Sequence, residues 1–283
     1  MITGATRLAG VIGDPVRHSM SPVIHNAAYA ATGLDWVYVA LPVTEGRVEA
    51  ALAGAAALGV EGLSVTMPHK ATVARHCDRL TESATRLGVV NAVRLSEGEV
   101  IGHNTDGSGF LVALANAGWR PEGRSVVVVG AGGTARALSA ALVAAGASRV
   151  VVAARRVEAA REVADLVGPG VSPSPLAELP RAEWERADLV ANTTPVGMAG
   201  GPDPDGLPVP VEALSPECRV IDAVYHPLVT PLLKAARERG LDTMGGVELL
   251  VGVSAEVFAW WTGVTAPIDV MSRAALTHLD SLE

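Results

Sequence analysis

The run Ser125-Val126-Val127-Val128-Val129-Gly130-Ala131-Gly132-Gly133-Thr134-Ala135 constrains this chain more than any other. Four consecutive valines predict a strand buried on both faces, as in a parallel sheet covered by helices. Glycine follows at once, and Gly130, Gly132 and Ala135 stand at the G-x-G-x-x-G/A spacing. An alanine-rich pattern from Thr134 to Ala145 predicts a helix closed by Gly146, and a second valine-rich strand follows at Val150–Ala153. Each part answers a physical demand. The first glycine permits a tight strand-to-helix turn, the second lets a pyrophosphate approach the backbone, and the small third position lets helix and strand pack closely. The helix N-terminus adds free N–H groups and a partial positive charge. The expectation is a βαβ unit that binds a dinucleotide over Gly130, Ala131, Gly132, Gly133, Thr134 and Ala135. The alternative is a tight turn in an α/β sheet that binds nothing.

Upstream, strand and helix patterns alternate. Leu8–Ile12 predicts a strand ending at Gly13-Asp14-Pro15. Ser21 suits an N-cap and Pro22 a first helical position, so a helix is expected from Pro22 to about Ala31, stopping at Gly33. Asp35–Leu41 and Gly62–Thr66 predict strands, with an alanine-rich helix over Thr44–Leu58 between them. That order implies a parallel sheet with right-handed crossovers. Thr72–Leu87 predicts a helix, Val89–Leu95 and Val100–Asn104 a hairpin, and Ser108–Ala117 a further helix. Beyond the opening βαβ come a helix at Val157–Val167, a Pro/Gly-rich connection at Gly168–Pro180, strands at Asp188–Ala191 and Arg219–Val224, and helices at Thr230–Arg239, Val247–Trp261 and Pro267–Leu279. Ala199–Pro210, dense in Gly, Pro and Asp, is expected to be a lid or a disordered turn. The fold class expected is α/β in two domains with a cleft between them: an N-terminal α/β domain over residues 1–104 and a Rossmann domain over 105–244.

Composition narrows the partners. The 283 residues, enough for one large or two ordinary domains, are 49% hydrophobic and 18% charged, which marks a core-rich globular chain and not a disordered one. A net charge of −8 argues against nucleic acid, which would demand a basic face, and requires that any anionic ligand be held by local donors working against the overall field. The longest apolar run, Gly245–Val264, contains Glu248 and Glu256 and reads as a buried helix, so no membrane partner is expected. The N-terminus lacks a basic segment followed by an apolar block, and Cys77 and Cys218 suggest neither a disulfide framework nor a metal site. The expected location is a reducing cytoplasm.

Particular residues carry chemistry. The second strand of the opening unit ends Ala153-Ala154-Arg155-Arg156, with no acidic residue to hold a ribose 2′-hydroxyl. Guanidinium groups there would bind a 2′-phosphate, which favours NADP over NAD. Only two of the 22 basic residues are lysines, Lys70 and Lys234. A lysine kept at a strand end, in a chain that otherwise uses arginine, suits proton transfer, because lysine can lose its proton and arginine in practice cannot; an ordinary surface lysine is the alternative. Ser19 and Ser21 could bind a small anion or a polyol, or serve as a cap and a solvated serine. Asp106 is a candidate acid, or an Asx cap.

Read together, these stretches resemble shikimate dehydrogenases. The resemblance spans nearly the whole chain. It rests on Gly13-Asp14-Pro15, His18-Ser19-Met20-Ser21-Pro22 with His25, Ser64-Val65-Thr66-Met67-Pro68-His69-Lys70, Val90-Asn91-Ala92, Asn104-Thr105-Asp106-Gly107, the Gly130–Ala135 turn, Asn192-Thr193-Thr194-Pro195-Val196-Gly197-Met198, Asp222-Ala223-Val224-Tyr225 with Pro227 and Thr230-Pro231, and Gly245-Gly246. It implies NADPH-dependent reduction of 3-dehydroshikimate to shikimate in aromatic amino-acid biosynthesis, by a monomer or homodimer. It also implies that the first domain is the substrate-binding and catalytic domain and that the C-terminal helices, residues 245–283, pack back on it. Lys70 and Asp106 would form the catalytic pair. Ser19 and Ser21 would hold the substrate carboxylate; Thr66, Asn91 and Asp106 its ring hydroxyls; Tyr225 would lie near the substrate. Arg155, with Arg156, would hold the 2′-phosphate, and Thr193 and Gly246 would complete the cofactor set. A quinate or aminoshikimate dehydrogenase is the close alternative, and a non-catalytic NADP-sensing module the remote one.

The chain departs from the family pattern at three positions. Val253 stands where a substrate-contacting glutamine is expected, Glu248 replaces a glycine expected close to the nicotinamide, and Ala154 replaces an asparagine on the adenine side. A carboxylate at position 248 needs a partner or a water-facing rotamer.

Overall fold

The structure, a computed structural model, describes residues 2–281. The chain divides into two compact units, one running to Gly109 and resuming at Val251, the other Phe110–Leu250. The first holds β1 (Arg7–Gly13), α1 (Ser21–Thr32), β2 (Trp36–Pro42), α2 (Val48–Ala57), β3 (Val60–Val65), α3 (Lys70–Arg75), β4 (Arg79–Leu80), α4 (Glu82–Leu87), β5 (Ala92–Ser96), β6 (Glu99–His103) and the start of α5 (Asp106–Asn116). The second holds β7 (Ser125–Val129), α6 (Gly133–Ala144), β8 (Arg149–Ala154), α7 (Val157–Val167), β9 (Val171–Pro175), α8 (Arg181–Arg186), β10 (Leu189–Asn192), β11 (Arg219–Asp222), α9 (Pro231–Glu238), β12 (Asp242–Met244) and the start of α10 (Gly246–Thr262). The rest of α10 and α11 (Ile268–Asp280) belong to the first unit.

Both divisions fall inside helices, about a turn beyond the positions 104/105 and 244/245 expected from sequence. The first turn of α5 stays with the first unit because Asp106 and Gly109 are engaged there. The first turn of α10 stays with the second because Gly246 lies against the backbone of Ala223 and Val224, where a Cβ would come within 2.6 Å of both carbonyl oxygens.

In the first unit the strand order is β2-β1-β3-β5-β6-β4. The segments β1, β2 and β3 are parallel, as alternating strand and helix patterns require. The β5–β6 hairpin then adds antiparallel to β3, making the sheet mixed. The single helix expected over Thr72–Leu87 is broken. Asp78 exchanges hydrogen bonds with Val100, and Arg79–Leu80 pairs with Ile101–Gly102, so sheet pairing overrides helical propensity across the middle of the segment. In α10, Trp261 donates from Nε1 to the Val93 carbonyl at 3.0 Å, and its indole fills the space over Gly62. A Cβ at position 62 would overlap that indole. Gly62→Ala should therefore destabilise the protein by about 1–3 kcal/mol through forced displacement of the ring, read as a lower urea midpoint at unchanged slope with altered tryptophan emission.

The second unit has an all-parallel sheet in the order β12-β11-β10-β7-β8-β9. Its central strands are buried along their length, and Val127, Val129, Val151, Val190 and Val220 form one core with Trp184 and Leu232. The segment read as an irregular connection contains β9, an edge strand; Pro173 and Pro175 hid it, and an edge is where a strand tolerates proline. The expected lid or disordered turn at Ala199–Pro210 is instead a tied turn. Val196 bridges Asp203, Gly197 N–H donates to the Asp203 carbonyl at 2.8 Å, and Ala199 N–H to the His226 carbonyl at 2.9 Å. Among the described residues, no helix is long and apolar enough to cross a membrane.

Candidate active site

In the first unit the strand ends deliver a lysine and a carboxylate to one place. After β3, the Thr66 carbonyl accepts from His69 N–H, and buried His69 is pinned through Nε2 to the Val43 carbonyl at 2.6 Å. This turn starts α3 at Lys70. Lys70 Nζ lies 2.5 Å from Asp106 Oδ2, its side chain 22% exposed and that of Asp106 9%. The other carboxylate oxygen, Oδ1, accepts from Asn91 Nδ2 at 2.7 Å. Asn91 also accepts from Thr105 N–H at 2.8 Å, and Asn104 Oδ1 caps Asp106 N–H at 3.1 Å. Asn104 thus takes the capping role that sequence allowed for Asp106, leaving both aspartate oxygens for Lys70 and Asn91. The arrangement can hold an ammonium, still in touch with solvent, in one position and orientation.

Ser21 corrects a second expectation. Met20 is the residue before α1, Ser21 is its first helical residue, and no side chain caps this helix. Ser19 Oγ instead accepts from Ser21 N–H at 3.3 Å. The Ser21 hydroxyl is therefore free of capping duty although the residue is only 9% exposed. Thr66 is half-buried after β3, and its methyl occupies the space a Cβ on Gly13 would need. Val253 is half-buried on α10, where its backbone lies so close to Gly109 that a Cβ there would overlap it; Gly109 is one turn beyond Asp106.

Between Ser21 and the β2 strand lies an aromatic layer. The His25 ring stacks on Tyr38, centroids 4.4 Å apart and planes within 7°. Burial pulls His25 from the ordinary 6.5 down to about 3. The folded protein therefore keeps it neutral while the unfolded chain protonates it below about pH 6.5. Its folded value is the depressed one, so stability is full above pH 6.5 and falls as the pH drops towards 3. Between pH 7 and pH 5 this group should remove about 2 kcal/mol. His25→Phe, which keeps the stack, should show a correspondingly smaller loss in urea unfolding at the two pH values.

In the second unit the glycine turn has the expected context. Gly130 adopts φ +112°, and a Cβ there would press on Thr193 and Thr194 of the neighbouring strand end. Thr193 Oγ1 donates to the Val129 carbonyl at 2.8 Å, joining the two strand ends. Gly132 precedes α6 in extended backbone that any residue adopts, and open space lies where its Cβ would be. Among the described residues nothing requires glycine at that position, whereas a group approaching the backbone would. Ala131 is half-buried beside it; Gly133 and Thr134 open α6, and Ala135 is fully buried under it. Arg155 and Arg156 follow β8, both exposed. Among the described residues their guanidinium groups have no hydrogen-bond or ion-pair partner, whereas Arg136, Arg149 and Arg161 pair with Glu162, Glu183 and Glu158. An open glycine edge at a helix N-terminus, with two free guanidinium groups beyond the next strand, fits a phosphorylated dinucleotide.

Tyr225 is half-buried after β11, and burial raises its pKa, keeping the phenol protonated. Behind it sits a network that sequence reading quoted without assigning. Fully buried Asp222 accepts from Asn192 Nδ2 at 2.9 Å, Val224 N–H at 3.1 Å and Thr230 Oγ1 at 2.6 Å. Asn192 in turn accepts from Thr194 N–H and Oγ1 at 3.0 and 2.7 Å. Burial raises the Asp222 pKa against these three donors. The network fixes the loops after β10 and β11; its signal was polar residues closing apolar strands. Gly246 lies against the backbone of Ala223 and Val224 for the packing reason given above, and Glu248 faces water.

A parallel nucleotide-type sheet with this turn, together with an oriented lysine–carboxylate pair, defines a dinucleotide-dependent oxidoreductase. Comparison with known proteins is specific. Residues 11–93 match the shikimate dehydrogenase substrate binding domain, and residues 113–195 match shikimate / quinate 5-dehydrogenase. A shikimate dehydrogenase (NADP(+)) of Geobacter sp. (strain M21) is 46% identical, over 98% of this chain and 97% of that one. A crystal structure of a shikimate dehydrogenase in complex with NADP+ superposes with a TM-score of 0.91 at 36% identity, covering 99% of this chain and 98% of that one. One of shikimate 5-dehydrogenase from Listeria monocytogenes, in complex with shikimate and NAD, gives 0.90 at 32%, covering 96% and 97%. The chain belongs to the shikimate dehydrogenase family.

Proposed function

We propose that this chain catalyses the reversible, NADPH-dependent reduction of 3-dehydroshikimate to shikimate in aromatic amino-acid biosynthesis. The observation that carries this reading is the Lys70–Asp106 pair at 2.5 Å, with Asn91 holding the second carboxylate oxygen, in a chain that aligns almost end to end with NADP(+)-dependent shikimate dehydrogenases. When bound, NADPH supplies the hydride. Reduction builds negative charge on the substrate's carbonyl oxygen. The Lys70 ammonium stabilises that charge and delivers its proton to the oxygen, then recovers one from solvent through its exposed fraction. Asp106 orients Lys70, and with Thr66 and Asn91 it anchors ring hydroxyls. Ser19 and Ser21 donate to the substrate carboxylate, and Tyr225 contributes a neutral phenol near the substrate. The Gly130–Ala135 turn receives the pyrophosphate, Arg155 and Arg156 the 2′-phosphate, and Thr193 and Gly246 complete the cofactor surface. The partner is a small molecule, the enzyme a monomer or homodimer, and its place the cytoplasm, where Cys77 and Cys218 remain thiols.

The test is a substrate and cofactor panel. NADPH consumption with 3-dehydroshikimate, much faster than with NADH, is the expected result. Failure to oxidise or reduce any cyclohexene or cyclohexane acid would leave a nucleotide-binding module. Preference for quinate over shikimate, reversed by Val253→Gln, would move the assignment to quinate.

A further inference from the structure

Helix α1 grips one residue of β2, Tyr38, through Asn26 and His25, and the assigned chemistry uses neither. Asn26 brackets the backbone of Tyr38, accepting from its N–H at 2.8 Å and donating to its carbonyl at 2.8 Å. His25 covers the phenol ring face to face. One turn earlier, on the same face of α1 as His25, stands Ser21, and the hydroxyls of Ser64 on β3 and of Ser21 lie near the phenol oxygen. Trp261 flanks the layer, its ring centroid 6.1 Å from Tyr38 and 5.7 Å from His25.

So tightly held a residue leaves its polar atom unused. Tyr38 is 1% exposed, and its hydroxyl makes no settled hydrogen bond to any described residue, the nearby serines included. The nearby Tyr29 hydroxyl is likewise buried and unpartnered. A buried hydroxyl without a partner is costly, and phenylalanine would fill the same space without that cost. Ser21, by contrast, keeps 9% of its surface exposed and serves no cap. A serine hydroxyl can donate once and accept twice. When Ser21 donates outward to an anion, its oxygen can accept from a phenol behind it, and a hydrogen bond so polarised is strengthened.

We propose that Tyr38 is a positioning residue for substrate binding: its phenol donates to Ser21 Oγ when Ser21 donates to the substrate carboxylate, with His25 and Asn26 holding the ring and backbone for that contact. The inference rests on the assignment of Ser21 to the carboxylate. It gives the HNxxxx…Tyr spacing of α1 and β2 a purpose: helical positions 21, 25 and 26 converge on one strand residue. Bond formation is by proton sharing alone, with nothing oxidised or released.

The experiment is a double-variant cycle on the full-length enzyme with Tyr38→Phe, Ser21→Ala and the pair, measuring KM and kcat for 3-dehydroshikimate, KM for NADPH, and thermal midpoint. Tyr38→Phe should raise the KM for 3-dehydroshikimate about tenfold, the equivalent of one ordinary hydrogen bond. It should leave kcat and the KM for NADPH near their starting values and leave the thermal midpoint unchanged or higher. In the Ser21→Ala background Tyr38→Phe should add nothing. The proposal is overturned if KM does not move in Tyr38→Phe, if the effect is as large without the Ser21 hydroxyl, or if kcat and the thermal midpoint fall together, which would mark a purely structural phenol. Absence of turnover in the parent enzyme would instead overturn the functional assignment itself.

Discussion

Lys70→Met lowers kcat for 3-dehydroshikimate by about 10²–10⁴-fold, the usual contribution of a positioned proton donor, while the KM for NADPH stays near its parent value. Methionine matches the length of the lysine stem and removes only the charge and the proton. The fold should survive, because the ammonium is part-exposed and the Asp106 carboxylate keeps Asn91 and its place at the start of α5. Lys70→Arg separates the two parts of the role. Arginine restores the positive charge beside Asp106 but does not give up a proton at working pH. If proton delivery is the larger part, Lys70→Arg stays within about tenfold of Lys70→Met. If kcat instead returns to within a few-fold of the parent, Lys70 is an electrostatic anchor and water is the proton source.

How much of this was legible in the sequence differs from one part to another. The βαβ unit was open to reading because its signals are local: four valines, a glycine turn and an alanine-rich helix lie within about 25 residues, and periodicity and turn chemistry act at that range. The β9 strand was not, because its two prolines give a loop signal and only its edge position makes them tolerable. The middle of Thr72–Leu87 failed for the opposite reason: local propensity favoured helix, and pairing with Ile101–Gly102, twenty residues away, won.

The site was legible mainly by resemblance. Nothing in residue type alone joins Lys70 to Asp106 across 36 positions, or tells whether an aspartate opening a helix caps it or serves an ammonium. That choice depends on Asn104, two residues earlier, taking the cap. Ser21 shows the same dependence. As an N-cap its hydroxyl would be spent on the helix; one position further along it is free, and no one-dimensional pattern fixes a helix start to one residue. The Asp222 network lies further still from sequence, since Asn192, Asp222 and Thr230 meet only when β10 and β11 pair in register.

Removing the guanidinium groups of Arg155 and Arg156 should give the second large effect, and on one cofactor only. Each arginine opposite a phosphate is worth about 1.5–3 kcal/mol, or about 10–100-fold in affinity. Arg155→Ala and Arg156→Ala should each raise the KM for NADPH within that range and the double variant further, while the KM for NADH stays within about twofold. The reasoning is electrostatic and local. The chain carries a net charge of −8, so its overall field opposes an anionic ligand, and attraction must come from cations that no neighbouring carboxylate already satisfies. Among the described residues, Arg155 and Arg156 meet that condition, while Arg136 on α6, Arg149 at the start of β8 and Arg161 on α7 are each paired with a glutamate. Being exposed and unpaired, they contribute little to folding, so the variants should keep the parent thermal midpoint, with stability changes within about 0.5 kcal/mol. Salt supplies an independent check: the KM for NADPH should rise with ionic strength in the parent and respond more weakly in the double variant, because screening can only weaken charge contacts that exist. Equal losses for NADPH and NADH would show that the two arginines hold the shared part of the nucleotide, and the preference for NADP would then have to come from elsewhere on the β8–α7 edge.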